Sequence, residues 1–262
     1  MASATAPAAC PVAAGPVRSD RLGNALGIDL GSQDLTLAVS RDNRMPRAAV
    51  VVTTGARQLI RLNKAGEKLD AIVVFGSEVD PTLHPRFKEI TENLRDLRNK
   101  WYPRAKLILH APEPHVGTLE AQLSLGIYDR AILRIEGGTA KSFSSLSERK
   151  STDLGEIVRS IAHLENIIVE ARFFRGSVDT TTEAEIRGWI RKLGELKPAE
   201  VHILSTEKKP APKAKLRHAP KSVVQKIVGE VTEKLGVPAH VHADVVLFTE
   251  HADAVPPPPP QS

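Results

Sequence analysis

Asp80-Pro81-Thr82-Leu83-His84-Pro85 follows the apolar run Ala71-Ile72-Val73-Val74-Phe75 and precedes an amphipathic run opening at Phe87. An apolar strand, a short turn carrying a carboxylate and then a helix make one unit of an α/β barrel. In such a unit the loop after the strand marks the ligand end. Asp80, on that loop, carries the carboxylate at that end.

Outward from this unit, apolar strand-like runs alternate with amphipathic helical ones. Strands are expected at 26–30, 35–40, 71–75, 106–110, 131–135, 166–173, 200–204 and 240–247, and helices at 56–65, 85–99, 116–124, 153–164, 182–194 and 220–235. The helices rest on apolar periodicity, as in Phe87, Ile90, Leu94 and Leu97. For 182–194, Thr181 and Thr182 can cap, Glu183 and Glu185 suit the first turn, and Ile186, Trp189, Ile190 and Leu193 form the buried stripe. This alternation implies a parallel sheet with right-handed crossovers. The units are too few for a complete barrel, which leaves a partial barrel or an open sheet.

Composition bounds the rest. The 262 residues are 41% hydrophobic and 26% charged, an ordinary globular balance. No run approaches the ~20 apolar residues of a membrane span, and no membrane partner is expected. Residues 1–20 are rich in Ala and Pro and read as a disordered tail. Residues 251–262, with the proline run Pro256 to Pro260, read as a second one. A single cysteine, Cys10, excludes an internal disulfide and fits a reducing cytoplasm. Net charge is +5, and the cations cluster between Lys208 and Lys221. Such a segment could meet nucleic-acid phosphates, but 4% aromatic residues offer little for base stacking, and a solvated loop is favoured.

Several stretches resemble one family. Asp80 to Pro85 is similar to the Gly-Glu-Pro-Thr-Leu-His-Pro-like stretch of radical S-adenosylmethionine (radical SAM) enzymes, in particular the short single-domain Fe–S oxidoreductases related to wyosine-type proteins. Ile132-Leu133-Arg134-Ile135-Glu136-Gly137-Gly138 resembles their Val-x-Lys-Leu-Asp-Ala-Gly strand, with Phe143 where they place an aromatic. Ile168 to Gly176 resembles the strand that ends in a basic residue and Gly. Lys197-Pro198 followed by Ala199 to Leu204 resembles the sixth strand. Lys208-Lys209-Pro210-Ala211-Pro212 lies where the family has an Arg-Pro-Pro loop. The resemblance runs from about Arg21 to His242. It implies a partial (β/α)6 barrel over 21–250, with a mostly parallel curved sheet and outer helices. It also implies a pocket for S-adenosylmethionine lined by Asp80, Thr82, Arg134, Glu136, Glu170, Arg172, Ser205, Lys208 and Lys209.

The chain departs from the family where the family's chemistry resides. Its Cys-x3-Cys-x2-Cys motif, which ligates a 4Fe–4S cluster, falls on Gly31-Ser32-Gln33-Asp34-Leu35-Thr36-Leu37-Ala38-Val39-Ser40-Arg41, which has no thiol. Iron in such clusters is held by thiolates. The chain therefore resembles a degenerate member, with no cluster and no metal expected. Asp80 keeps the charge of the family's Glu with a shorter reach, Glu78 and Val79 replace glycines, and His110-Ala111-Pro112 replaces a Ser-Asn-Gly strand end. S-adenosylmethionine itself remains a candidate ligand.

Three function classes follow. The leading one is a non-catalytic binding or scaffold protein, whose partner is a protein or a small anionic or zwitterionic ligand. Next is a non-redox enzyme that reuses the pocket for S-adenosylmethionine or another nucleotide. The third is an actin-like nucleotide-binding domain, because Gly27-Ile28-Asp29-Leu30-Gly31-Ser32 resembles a phosphate loop and Gly137-Gly138-Thr139-Ala140 could be adenosine-site glycines. His240-Val241-His242 invites a metal, with Asp244, Glu250 or His251 as third ligand, but two partly exposed strand histidines are the favoured reading. Arg134 and Glu136 are read as pointing to opposite sheet faces. Glu136 and Glu170 are read as lining a barrel interior where Arg172 neutralises them, with a structural ion pair the favoured reading.

Overall fold

The structure is a computed structural model that describes residues 12–31, 45–147, 150, 153–205 and 215–242. Its chain groups into two compact units, residues 1–110 with 246–262 and residues 111–245. In both, parallel strands alternate with helices, so the fold is α/β with mostly parallel strands.

The first unit opens with an antiparallel pair, β1 (Ala13–Ser19) and β2 (Gly23–Asp29). From Val12 onward this corrects the tail expected over 1–20. Val12, Ala14 and Val17 are buried, and the Ser19 hydroxyl accepts the N–H groups of Arg21 and Leu22 to close the turn. Gly23, at φ +72°, supplies the left-handed conformation the turn needs. Small residues and a proline disguised a strand as a tail.

Helix α1 (Ala48–Lys64) starts before the expected 56–65, because the β-branched run Val50-Val51-Val52 hides its first turns. Val51, Leu59 and Leu62 form its buried stripe. Strand β3 (Ala71–Phe75) is fully buried and pairs parallel with β2. A one-turn 3-10 helix, Pro81–Leu83, precedes α2 (Phe87–Trp101), whose Phe87, Ile90, Thr91 and Leu94 are buried as the periodicity requires. Strand β4 (Lys106–Ala111) pairs parallel with β3, and its last residue opens the second unit. The strand expected at 35–40, the thiol-free stretch after Gly31, and Cys10 lie outside the described residues.

The second unit contains α3 (Leu119–Leu125), β5 (Arg130–Arg134), α4 (Ala140–Ser147), α5 (Asp153–Ile161), β6 (Ile167–Arg172), β7 (Phe174–Gly176), α6 (Glu183–Leu196), β8 (Glu200–Leu204), β9 (Leu216–His218), α7 (Lys221–Leu235) and β10 (Ala239–His242). Strands β5, β6, β8 and β10 run parallel in that order, while β7 and β9 form a separate antiparallel ribbon. Thr182 caps α6 as its sequence implies, accepting from the Glu185 N–H. Trp189, 1% exposed, donates its indole N–H to the Ile135 carbonyl at 2.9 Å and meets Phe173 edge-on at 5.1 Å. That contact pins α6 to the end of β5.

Candidate functional site

Register places the polar residues of the second unit in two rows. Arg134, Glu170, His202 and His240 are successive cross-strand neighbours on β5, β6, β8 and β10. Parallel neighbours at one register share a sheet face, so these four side chains share one face. One step toward the strands' carboxyl ends, Arg172, Leu204 and His242 continue the pattern, with Glu136 two residues beyond Arg134. The opposite face carries Leu133, Val169, Ala171, Val201 and Ile203, all at most 1% exposed. One face is thus apolar, and the other holds the charge.

The charges pair reciprocally. Arg134 donates through Nε and Nη2 to Glu170 Oε1, at 3.1 and 2.8 Å. Arg172 donates through Nε to Glu136 Oε1 at 2.6 Å and through Nη2 to Glu136 Oε2 at 3.1 Å, a fork-to-fork pair. Arg134 Nε also stands 3.9 Å from Glu136 Oε1, which links the two pairs. This corrects the expectation of opposite faces for Arg134 and Glu136: residues two apart on a strand point the same way. Glu170 is fully buried, Glu136 nearly so, and Arg172 is the most exposed member of the quartet. Burial works to lower the Arg172 pKa, but the carboxylates of Glu136, Glu170 and Glu113 outweigh it and raise that pKa above its ordinary value. The same guanidinium lies 5.3 Å over the Phe174 ring.

Above the quartet is a small open cleft lined by Arg134, Glu136 and Arg172 together with Pro112, Glu113, Pro114, Phe143, Leu146, Ser147 and Ile157. Helix α4 supplies Phe143, Leu146 and Ser147, and α5 supplies Ile157. The cleft therefore offers an apolar wall facing two guanidiniums and the carboxylates that balance them. A ligand bearing both an anionic and a cationic group can exchange with these pairs without leaving a buried charge alone.

The other expected site residues are distributed differently. Asp80 and Thr82 belong to the first unit, where the Asp80 carboxylate accepts from the Thr82 N–H at 3.0 Å and from the Thr82 hydroxyl, capping the 3-10 turn. The Ser205 N–H donates to the His242 carbonyl at 2.8 Å, extending the β8–β10 ladder, and Ser205 is not part of the cleft lining. Lys208 and Lys209 lie outside the described residues, as do Asp244, Glu250 and His251. Glu170 is the floor beneath Arg134.

Two further clusters flank the quartet. His202, His240 and His242 bring their rings within 4.5 to 6.3 Å of one another, and Glu200 Oε2 lies 3.1 Å from His202 Nε2. Among the described residues no three His, Cys, Asp or Glu side chains are placed to hold a metal ion. At the Gly137-Gly138 turn, one oxygen of the Glu185 carboxylate, Oε2, accepts from the Gly138 N–H at 2.7 Å and the Ser142 hydroxyl at 2.6 Å, and Oε1 accepts from the Thr139 hydroxyl at 2.8 Å. The glycines weighed as an adenosine site are therefore filled by a carboxylate of the chain itself. Asp29, weighed as a phosphate-loop acid, accepts from the Gly31 and Ser77 N–H groups at 2.8 and 3.1 Å.

Glu113, Leu146 and Ile157 were not anticipated. The signal that was available is the charge order, Arg134-x-Glu136 on one strand and Glu170-x-Arg172 on the next: in register, opposite orders make reciprocal pairs.

No protein-family model and no curated protein matches the chain. Among solved structures it is similar to a domain of a pyruvate-formate lyase-activating enzyme from Bacteroides vulgatus, at TM-score 0.48 and 13% identity, with 66% of this chain and 99% of that one covered. A 4Fe–4S cluster with three protein thiolates does not fit the donors present, because the chain has one cysteine in all.

Proposed function

We propose that this chain is a non-catalytic binding protein, a radical-SAM-like scaffold without the cluster ligands, and that its cleft above Arg134, Glu136, Glu170 and Arg172 takes a small zwitterion. The observation that carries this reading is the reciprocity of the two ion pairs. Each arginine of the quartet already has a carboxylate, and Glu113 adds a further acid to the cleft lining. A ligand carboxylate can approach Arg172, the most exposed of the four, while an ammonium group meets Glu113 or Glu136. Phe143, Leu146 and Ile157 would cover an aliphatic or thioether portion between these charges. The sequence resemblance makes S-adenosylmethionine the first probe to try. A cytoplasmic setting belongs to the same proposal and rests on the single cysteine.

The test is calorimetric titration of S-adenosylmethionine, S-adenosylhomocysteine and methionine into wild type, Arg172→Gln and Glu113→Gln. Binding that weakens roughly tenfold or more in either variant supports the cleft, as the loss of a charge-assisted hydrogen bond requires. Binding indifferent to both substitutions places the ligand elsewhere. Failure of all three compounds to bind favours a protein partner over a small ligand.

A further inference from the structure

The β7–β9 ribbon gathers three exposed cations on one of its faces. Phe174 pairs with His218, Arg175 with Arg217 and Gly176 with Leu216, and the Ser177 N–H donates to the Lys215 carbonyl at 3.2 Å to extend the ladder by one step. Alternation then sorts the ribbon into two faces. Phe174 and His218 share the inner one: Phe174 is 3% exposed, and its ring stands 5.1 Å from that of His218. Arg175, Arg217 and Lys215 share the outer one, and all three are exposed.

Two guanidiniums directly opposite each other across an antiparallel pair repel, and such a pairing is destabilising. Lys215, about 6.6 Å further along the same face, adds a third positive charge. Among the described residues none of these three forms an ion pair. The nearest acid in sequence, Asp179, makes no ion pair with them and accepts instead from the Thr181 N–H and hydroxyl at 2.8 and 2.6 Å. Thr181 in turn accepts from Arg175 Nε at 3.2 Å, which orients that guanidinium and leaves its two terminal nitrogens for another acceptor. A hollow lined by Arg175, Gly176, Lys215, Leu216, Arg217, His218 and Pro220 lies against this ribbon.

We propose that the outer face of the β7–β9 ribbon binds a diphosphate group. Two planar forks side by side match the oxygens of one phosphate bidentately, and the lysine one step along serves the second as a point charge. A single carboxylate would satisfy one guanidinium and leave the other repelled; a diphosphate satisfies both and the lysine. Free pyrophosphate and a nucleoside diphosphate share this chemistry. The site is separate from the zwitterion cleft and does not depend on it.

The test is a thermal melt and a calorimetric titration of the full chain with inorganic pyrophosphate, ADP and AMP, at low and at high salt. Wild type is expected to melt higher with pyrophosphate and to lose that gain at about 1 M salt, where screening reaches ~3 Å. Arg175→Gln and Arg217→Gln should each weaken pyrophosphate binding roughly tenfold or more. With the like-charge neighbour gone, Arg217→Gln, which gives up no side-chain hydrogen bond among the described residues, should also melt at or above wild type in the absence of ligand. That second readout separates a binding site from a structural role, which would lower the melting temperature. ADP no tighter than pyrophosphate assigns recognition to the diphosphate alone, and ADP tighter gives the nucleoside a share; both uphold the site. The proposal is overturned if pyrophosphate binds both variants as it binds wild type, if AMP binds as tightly as ADP, or if a polynucleotide binds while pyrophosphate has no effect.

Discussion

Gly138 and Gly188 meet backbone to backbone: a Cβ on Gly188 would stand 2.4 Å from the Gly138 carbonyl oxygen, and a Cβ on Gly138 would stand 1.8 Å from that of Glu185. Helix α6 can lie this close to the end of β5 because neither position carries a side chain. The approach also lets the Glu185 carboxylate reach the Gly138 N–H and Trp189 reach the Ile135 carbonyl.

Gly188→Ala should therefore cost about 1–3 kcal/mol, the range for overpacking against atoms that cannot yield. Gly229, inside α7 with nothing within 4 Å of its notional Cβ, makes the opposite control. Gly229→Ala should gain about 0.5–1 kcal/mol from helix propensity alone. Urea unfolding of the two variants measures both, and a neutral Gly188→Ala would show that α6 does not pack as described.

Removing Glu170 should be among the costliest single changes in the second unit. It strands the Arg134 guanidinium, whose side chain is 16% exposed, beside a vacated buried position. Loss of one partner of such a pair costs about 3–5 kcal/mol. The double change Arg134→Met with Glu170→Leu should recover most of it, because an apolar pair of similar volume pays no desolvation. Equal destabilisation by the single and the double change would show that other partners of Glu170 dominate.

His84 should make stability depend on pH. Its Nδ1 accepts the Arg86 N–H at 3.0 Å, so Nε2 carries the proton toward the Pro46 carbonyl at 2.7 Å, and the neutral ring is satisfied on both sides. Burial lowers its pKa below the ordinary 6.5, more than the Pro46 carbonyl raises it. The unfolded chain then takes up the proton first as pH falls. The contribution is complete above 6.5 and erodes between 6.5 and the lower folded value. Denaturation midpoints of wild type should fall from about pH 7 to about pH 5. The slope should be shallower in His84→Gln, and identical slopes would remove His84 as the cause.

Anaerobic treatment with iron and sulfide should add no thiolate-to-iron absorption to the purified protein, since one cysteine cannot supply three ligands. A stoichiometric cluster that survives Cys10→Ser would contradict this.

Periodicity carried the fold a long way. The stripe of α2, the cap at Thr182 and the apolar strands β3 and β6 are local features, written in consecutive residues. What escaped depended on pairing partners and not on a periodic stripe of consecutive residues. Strand β1 is a strand because β2 pairs with it, and β7 is a strand because β9 does. Helix α4 is short, and the Glu185 carboxylate, far along the chain, accepts the Gly138 and Thr139 N–H groups just before its first residue. The charged quartet was legible residue by residue. Its pairing was not, because register decides which arginine meets which glutamate.

The burial of Trp189 also gives the protein an optical label. The chain has two tryptophans, and they fall one to each compact unit: Trp101 ends α2 in the first, and Trp189 lies inside the second. An indole held in apolar surroundings emits to the blue of a hydrated one. Trp101→Phe therefore leaves a molecule whose emission follows the second unit alone, and Trp189→Phe leaves one that follows the first. Superimposable melting curves from the two single-tryptophan proteins would mark one cooperative body, and displaced curves would mark two bodies that melt in turn.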